Sequence, residues 1–273
     1  MGDLIEIFTY PFVIKAVICG ISVSIAAALI GTVLVLKRYS MIGHGLGEVG
    51  FAALSLAVAC NLSPLIVSVP LVIITAFAVM TISQKKGEDG DVWIALISAG
   101  ALAIGIITTA LTKGFNIDVS SYMFGSILAV STSDVIVSAL VSFVLVVLFV
   151  ILYNRIFMVT FDESYAKARG TNVKLYQFVI SFITAVVVVI GMRLMGTLLI
   201  SGLIVFPAVI ARKLTNSFKS MLIVSIITAI FCFVFGMALS FVINLPTGAT
   251  IVVVYMLLLF VTTFSNFRRK NSR

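Results

Sequence analysis

Two side chains in this sequence have the type and spacing to do chemistry together. They are His44, the only histidine, and Glu48, four residues on. On a helix that spacing places both on one face, one turn apart. An imidazole nitrogen and a carboxylate oxygen make a donor pair for a divalent first-row metal, zinc included. Two donors leave a coordination shell open, which suits a site that must release its ion. The other reading is a pair near the cytoplasmic interface, just after Lys37-Arg38, bonded to each other and to water. A charged residue at the centre of a membrane helix costs roughly 2.5–3.5 kcal/mol, so a charged group kept there has a function by default. A metalloprotease helix is excluded, because His-Glu-x-x-His needs a second histidine.

The pair lies among Gly43, Gly45, Gly47 and Gly50. Each glycine weakens a helix by roughly 0.8–1 kcal/mol relative to alanine, which predicts partial unwinding here and carbonyls free for a cation. Glycines also let helices pack closely, and the two roles are compatible. Pro207 removes a backbone bond within its own apolar segment and predicts a kink. Gly43, Gly45, Gly47 and Pro207 are therefore the candidate gate or hinge positions.

The elements that carry these residues are membrane spans. The chain is 62% hydrophobic and 10% charged, with mean hydropathy +1.27. Runs of about 20 apolar residues recur along its length, enough to cross the hydrocarbon core as helix. The fold class is all-α, a polytopic transmembrane helical bundle forming one domain over 1–273. Nine spans are predicted, at 16–36, 43–60, 64–82, 92–112, 135–152, 174–192, 194–211, 221–243 and 249–266. The second is the weakest, so eight is the alternative count. The sixth and seventh are divided only by Arg193, which predicts a tight helical hairpin. The alternation of an outer-membrane barrel is absent. The start carries Asp3 and Glu6 rather than basic residues, so no cleavable leader is expected. Cys19, Cys60 and Cys232 fall in or at the ends of apolar runs and are expected as small buried hydrophobes.

Net charge is +8, and it reads as topology rather than nucleic-acid binding. Loops after the odd-numbered spans up to the seventh, together with the C-terminus, hold fifteen of the 18 basic residues. Lys15, Lys113 and Arg193 remain on the other side. The positive-inside rule then puts the N-terminus outside and the C-terminus in the cytoplasm. The longest polar stretch, Tyr153 to Tyr176, is cytoplasmic on this topology. Within it Asp162 suits a helix N-cap, Glu163 the first turn and Gly170 the C-cap, predicting a short helix that offers a docking knob. Opposite, Gly114 to Ser133 reads as a re-entrant or interfacial segment. Pro246 marks an outer turn. No phosphate-binding Gly-x-x-x-x-Gly-Lys-Ser/Thr loop occurs, so any nucleotide-driven work needs another chain. Intramembrane acids for a proton relay are scarce, with Glu48 the main one and Asp134 at a span edge.

Taken in order, Lys37-Arg38-Tyr39-Ser40-Met41-Ile42-Gly43, Tyr122 to Leu128, Phe161 to Gly170, Met195 to Ser201 and Leu245 to Gly248 resemble the permeases of zinc/manganese/iron ATP-binding-cassette importers. The resemblance runs end to end. It implies a type II importer permease that is no enzyme itself. It also implies a homodimer in the cell membrane in contact with lipid, cytoplasmic ATP-binding subunits, and an extracytoplasmic metal-binding protein docking near 114–133 and 244–248. The 161–170 segment resembles the family's coupling helix, with Phe161, Asp162, Glu163, Tyr165, Ala166 and Gly170 as the residues meeting the ATPase. Glu163, Ala166 and Gly170 fall on the superfamily's Glu-Ala-Ala…Gly pattern. Relatives typically carry Asp-x-x-x-His where this chain has His44-x-x-x-Glu48, so the order is reversed and Glu replaces Asp. The expected cargo is a divalent metal, zinc favoured, with manganese or iron as alternatives and no permanently bound cofactor. A metal chelate or other small solute, or secondary transport without ATP, are the alternative functions.

Overall fold

The computed structural model describes residues 11–86, 90–112, 125 and 131–271. Among them every regular element is an α-helix: α1 Pro11–Leu36, α2 Ile42–Ala59, α3 Pro64–Lys86, α4 Gly90–Leu111, α5 Thr132–Ile151, α6 Tyr153–Phe161, α7 Glu163–Ala168, α8 Val173–Met195, α9 Thr197–Leu214, α10 Phe218–Ile243 and α11 Thr247–Asn271. Each of the nine expected spans corresponds to one of the long helices. Eight of these have the length and composition to cross a membrane, and the apolar stretch of α3, Ile66–Ile82, is shorter. The expected re-entrant segment lies almost wholly outside the described residues.

The helices are apolar on nearly all sides, so packing between them has little hydrophobic drive and depends on close approach and hydrogen bonds. At the centre, α1 packs against α5, α9 and α10, and α9 packs against α1, α2, α10 and α11. α8 sits between α3, α1 and α9, while α4 lies outside α2. At Gly31 of α1 an added Cβ would stand 1.9 Å from the Ile204 carbonyl oxygen of α9. The absence of a side chain there is what lets the two backbones meet. Hydroxyls complete the contacts. Ser225 donates to the Ala28 carbonyl at 3.3 Å, and Tyr255 donates to the Ala229 carbonyl at 2.9 Å. Large side chains exposed on α4, α5, α10 and α11 are apolar, Leu96, Phe143, Phe231 and Phe260 among them, as a lipid-facing perimeter requires.

Several connections are tight helix ends with one residue in the left-handed region: Arg38, Asn61, Gly170 and Asn244. The next amide in each case reaches back five residues, as Tyr39 N–H does to the Leu34 carbonyl and Leu245 N–H to the Ser240 carbonyl, which satisfies otherwise orphaned helix carbonyls. The α8–α9 break falls at Gly196 rather than Arg193, because Gly196 takes φ +85° and Arg193 belongs to the last turn of α8. The chain doubles back there, since a Cβ on Gly191 would lie 2.3 Å from Ile200. Cys19 and Cys232 are buried, but Cys60 is exposed, since it caps the end of α2 where the helix no longer has a neighbour over it.

Gly31→Ala should lower the thermal unfolding midpoint of the purified protein in detergent by several degrees. Gly100→Ala, whose Cβ meets nothing within 4 Å, should leave it unchanged or raise it through the gain of about 1 kcal/mol in helix propensity.

Candidate functional site

α2 runs unbroken from Ile42 to Ala59, so the expected unwinding does not occur. The reason is packing. A Cβ on Gly43 would sit 3.1 Å from Ile204, one on Gly45 3.0 Å from Ile94, and one on Gly47 3.2 Å from Thr197. Gly43 and Gly47 therefore seat α2 on α9, and Gly45 seats it on α4. Contact on two sides makes good the helix propensity the glycines lose.

This seating sets the depth of the pair. Gly31 and Gly43 both pack on Ile204, which is seven residues into α9 and eight before Arg212. At 1.5 Å per residue, the α9 residue that faces the first turn of α2 is about 12 Å along that helix from Arg212. His44 Nε2 lies 3.3 Å from Glu48 Oε1. The imidazole is 49% exposed and the carboxylate 17%, whereas flanking Ile42, Leu46 and Val49 are buried. The pair thus forms an open strip in the first half of α2, where the residues around it are buried; toward the end of the helix Leu56 and Cys60 are exposed as well.

Ser98 of α4, which sequence reasoning missed, donates its hydroxyl to Glu48 Oε2. Further along the same interface Thr109 donates to Ser55 Oγ at 3.2 Å, and Gly105 leaves room for Phe51. The signal was present in the sequence as Ser98, Gly105 and Thr109 spaced along one face of α4. It was masked because α4 is otherwise mostly apolar. With one carboxylate oxygen facing Ser98 and the other facing His44, the pair offers a nitrogen and an oxygen toward the open side. Among the described residues no third His, Cys, Asp or Glu joins them.

Pro207 is buried within α9, which continues helically on both sides of it. Pro246 lies in the α10–α11 turn, where Ser240 donates to the Leu245 carbonyl at 2.6 Å.

The second cluster is α7. Asp162 caps it by accepting from Tyr165 N–H at 2.9 Å, and Gly170, φ +73°, closes it as the sequence implied. A second short helix, α6, precedes it. Ala166 is fully buried, and Glu163 points inward to Lys37, with Nζ–Oε1 at 2.7 Å. The outward surface of α7 and its flanks carries Phe161 and Tyr165, the polar Asp162, Ser164 and Lys167, and Arg169, whose guanidinium lies 5.3 Å over the Tyr165 ring. Phe161 also packs on Phe157 and Phe218, centroids 4.9 and 5.8 Å away. At the other end of α8, Arg193 pairs with Asp134 at 3.3 Å. Gly125 lies against the Met195–Gly196 backbone.

Residues 9–266 match the ABC 3 transport family (ABC-3). The chain is 31% identical over 252 residues to an uncharacterized membrane protein of Synechocystis sp., covering 92% of this chain and 89% of that one. It is 25% identical over 252 residues to the manganese transport system membrane protein MntC of Listeria monocytogenes, covering 92% and 90%. Against the high-affinity zinc uptake system membrane protein ZnuB of Haemophilus influenzae it is 23% identical over 259 residues, covering 95% and 99%. Among solved structures, PsaBC from Streptococcus pneumoniae in complex with Fab superposes with TM-score 0.85 at 26% identity, covering 96% of this chain and 94% of that one. The family resemblance carried by the five sequence segments is borne out.

Ser98→Ala and Thr109→Val should each lower unfolding free energy by about 0.6 kcal/mol, the usual worth of an interhelical hydrogen bond in a membrane. Reversible denaturation in mixed micelles measures this. A loss several times larger at Ser98 alone would show that Glu48 has no other means of solvation.

Proposed function

Because the chain belongs to the ABC 3 transport family, we propose that it is the permease of an ATP-driven importer whose cargo is a divalent transition metal, zinc favoured. One observation carries the proposal. His44 and Glu48 hold a nitrogen and an oxygen donor together within a candidate span, on the open strip of a helix half whose other residues are buried. A structural pair in that position would be expected to be shut off by neighbouring side chains. A transfer site must instead stay open to accept and release an ion. The remaining ligands come from water or from a second copy of the chain across a dimer axis, since one copy leaves the imidazole half exposed.

The choice of zinc rests on the donors. Imidazole suits zinc and iron, whereas an oxygen-only set favours manganese. The relatives' names include both manganese and zinc systems, so the family is compatible with either. The chain supplies no nucleotide site and no covalent chemistry in this mechanism. ATP-binding subunits dock on the cytoplasmic face, where Phe161 and Tyr165 present exposed aromatic surface beside the capped α7 helix. An extracytoplasmic binding protein delivers the ion to the opposite face, around 114–133 and 244–248. The N-terminus is outside and the C-terminus inside, by the distribution of basic residues. The apolar perimeter faces lipid of the cell membrane. Alternating access then moves the ion past His44 and Glu48, with Gly43, Gly45, Gly47 and Pro207 as the positions where helices slide or flex.

Replacing His44 and Glu48 with alanine should cut metal accumulation about tenfold or more while the ATPase still co-purifies. Uptake of zinc, manganese and iron measured side by side in cells reads this and identifies the cargo. Unchanged uptake would leave the pair a structural role. Phe161→Asp with Tyr165→Asp should release the ATPase from the purified complex, and a fully assembled complex would count against docking at α7.

A further inference from the structure

The Glu163 carboxylate ties three separate parts of the chain together. Its Oε1 accepts from Lys37 Nζ at 2.7 Å and from Gln177 Nε2 at 3.3 Å. Lys37 lies just past the end of α1, Glu163 opens α7, and Gln177 lies in α8. The Lys37 side chain is only 7% exposed and Glu163 33%, and Gln177 is buried. A lysine that deep keeps its charge by pairing, and Glu163 is the acidic partner the structure gives it.

A series of backbone bonds holds the turn that follows Lys37. Arg38 N–H reaches the Val35 carbonyl at 3.2 Å, Tyr39 N–H reaches Leu34 at 2.8 Å, Ile42 N–H reaches Tyr39 at 3.1 Å, and Gly45 N–H reaches Met41 at 3.1 Å. That series ends on the helix turn that carries His44. It is also strained at one point. Of the four left-handed helix ends, three are glycine or asparagine and the fourth is Arg38, φ +63°. An arginine holds that conformation only where its surroundings impose it. The surroundings here are Lys37, held by Glu163, on one side and Tyr39, 7% exposed, on the other.

We infer that the Lys37–Glu163–Gln177 junction is the mechanical joint through which movement of α7 reaches the α1–α2 turn, and through it His44. Glu163 is then a positioning residue that works inward, not a contact to the ATPase. The inference rests on the proposed function, in which α7 meets the ATPase and His44 meets the ion. A displacement of α7 carries the carboxylate with it. The ammonium, on a side chain only 7% exposed, has to follow, because separation would leave a shielded charge without this partner. The stiff turn then passes the shift to the first turn of α2.

The test uses the full complex of permease, ATPase subunits and binding protein in liposomes, with zinc uptake and phosphate release measured together. Lys37→Met combined with Glu163→Gln removes both charges, so neither is left orphaned. Zinc moved per ATP hydrolysed should fall about tenfold, within the usual range of site-to-site coupling. Complex yield and unfolding midpoint should stay near wild type, which a merely structural pair would not allow to separate from transport. Gln177→Leu should lower the ratio in the same direction without touching either charge, and Lys37→Arg should preserve it. A double variant with wild-type coupling would overturn the joint and leave the proposed function standing. Loss of the ATPase from the double variant would also overturn it, by making Glu163 a docking contact. A wild-type complex showing no ATP-dependent uptake of zinc, manganese or iron would overturn both.

Discussion

The close approach of α2 and α1 to the Ile204 region of α9 is the constraint on which the arrangement depends. In a bilayer neither apolar surface nor side-chain bulk brings helices together, so backbone proximity has to come from missing side chains. Gly31, Gly43 and Gly47 provide it against Ile204 and Thr197. One consequence is stability, since α1 and α9 form the centre of the bundle. The other is placement. A helix that begins just after a basic turn would naturally leave its first residues at the membrane surface. Glycine seating instead draws the first turn of α2 down beside the middle of α9, and His44 and Glu48 go with it.

That placement explains why the neighbouring polar groups are where they are. A carboxylate inside a span needs solvation, and Ser98 on α4 supplies a hydroxyl on one side while His44 supplies a ring nitrogen on the other. The same α2–α4 contact carries a second hydroxyl pair, Ser55 with Thr109. α4 is thus attached by a narrow polar and glycine seam, and its broad outer face remains apolar. The loop face shows a similar economy of charge. Lys37, Glu163 and Gln177 bond one another, while the outward surface of α7 and its flanks sets Phe161 and Tyr165 among Asp162, Ser164, Lys167 and Arg169.

Much of the fold was legible in the sequence, because a run of twenty apolar residues has few alternatives and the caps Asp162 and Gly170 are strong local signals. The His44–Glu48 pairing was equally legible, since i,i+4 spacing on a helix leaves little choice. Other features were not. The glycines around His44 support either unwinding or close packing, and the identity of the facing helix decides between them. Gly196 rather than Arg193 divides α8 from α9, because a left-handed φ outranks a charge as a breaker. Cys60 reads as apolar by its neighbours in sequence and is exposed by its position at a helix end. Ser98 and Lys37 act through partners 50 and 126 residues away, and no local periodicity records such distances.

An ion crossing this permease is expected to pause between an imidazole and a carboxylate at the open side of α2. Anomalous diffraction or X-ray absorption from the intact complex loaded with zinc or manganese would locate that ion. The expected result is a metal bound by His44 Nε2 and a Glu48 carboxylate oxygen, with oxygen ligands completing the shell. A bound metal held elsewhere along the chain, with both side chains packed away from water, would contradict it.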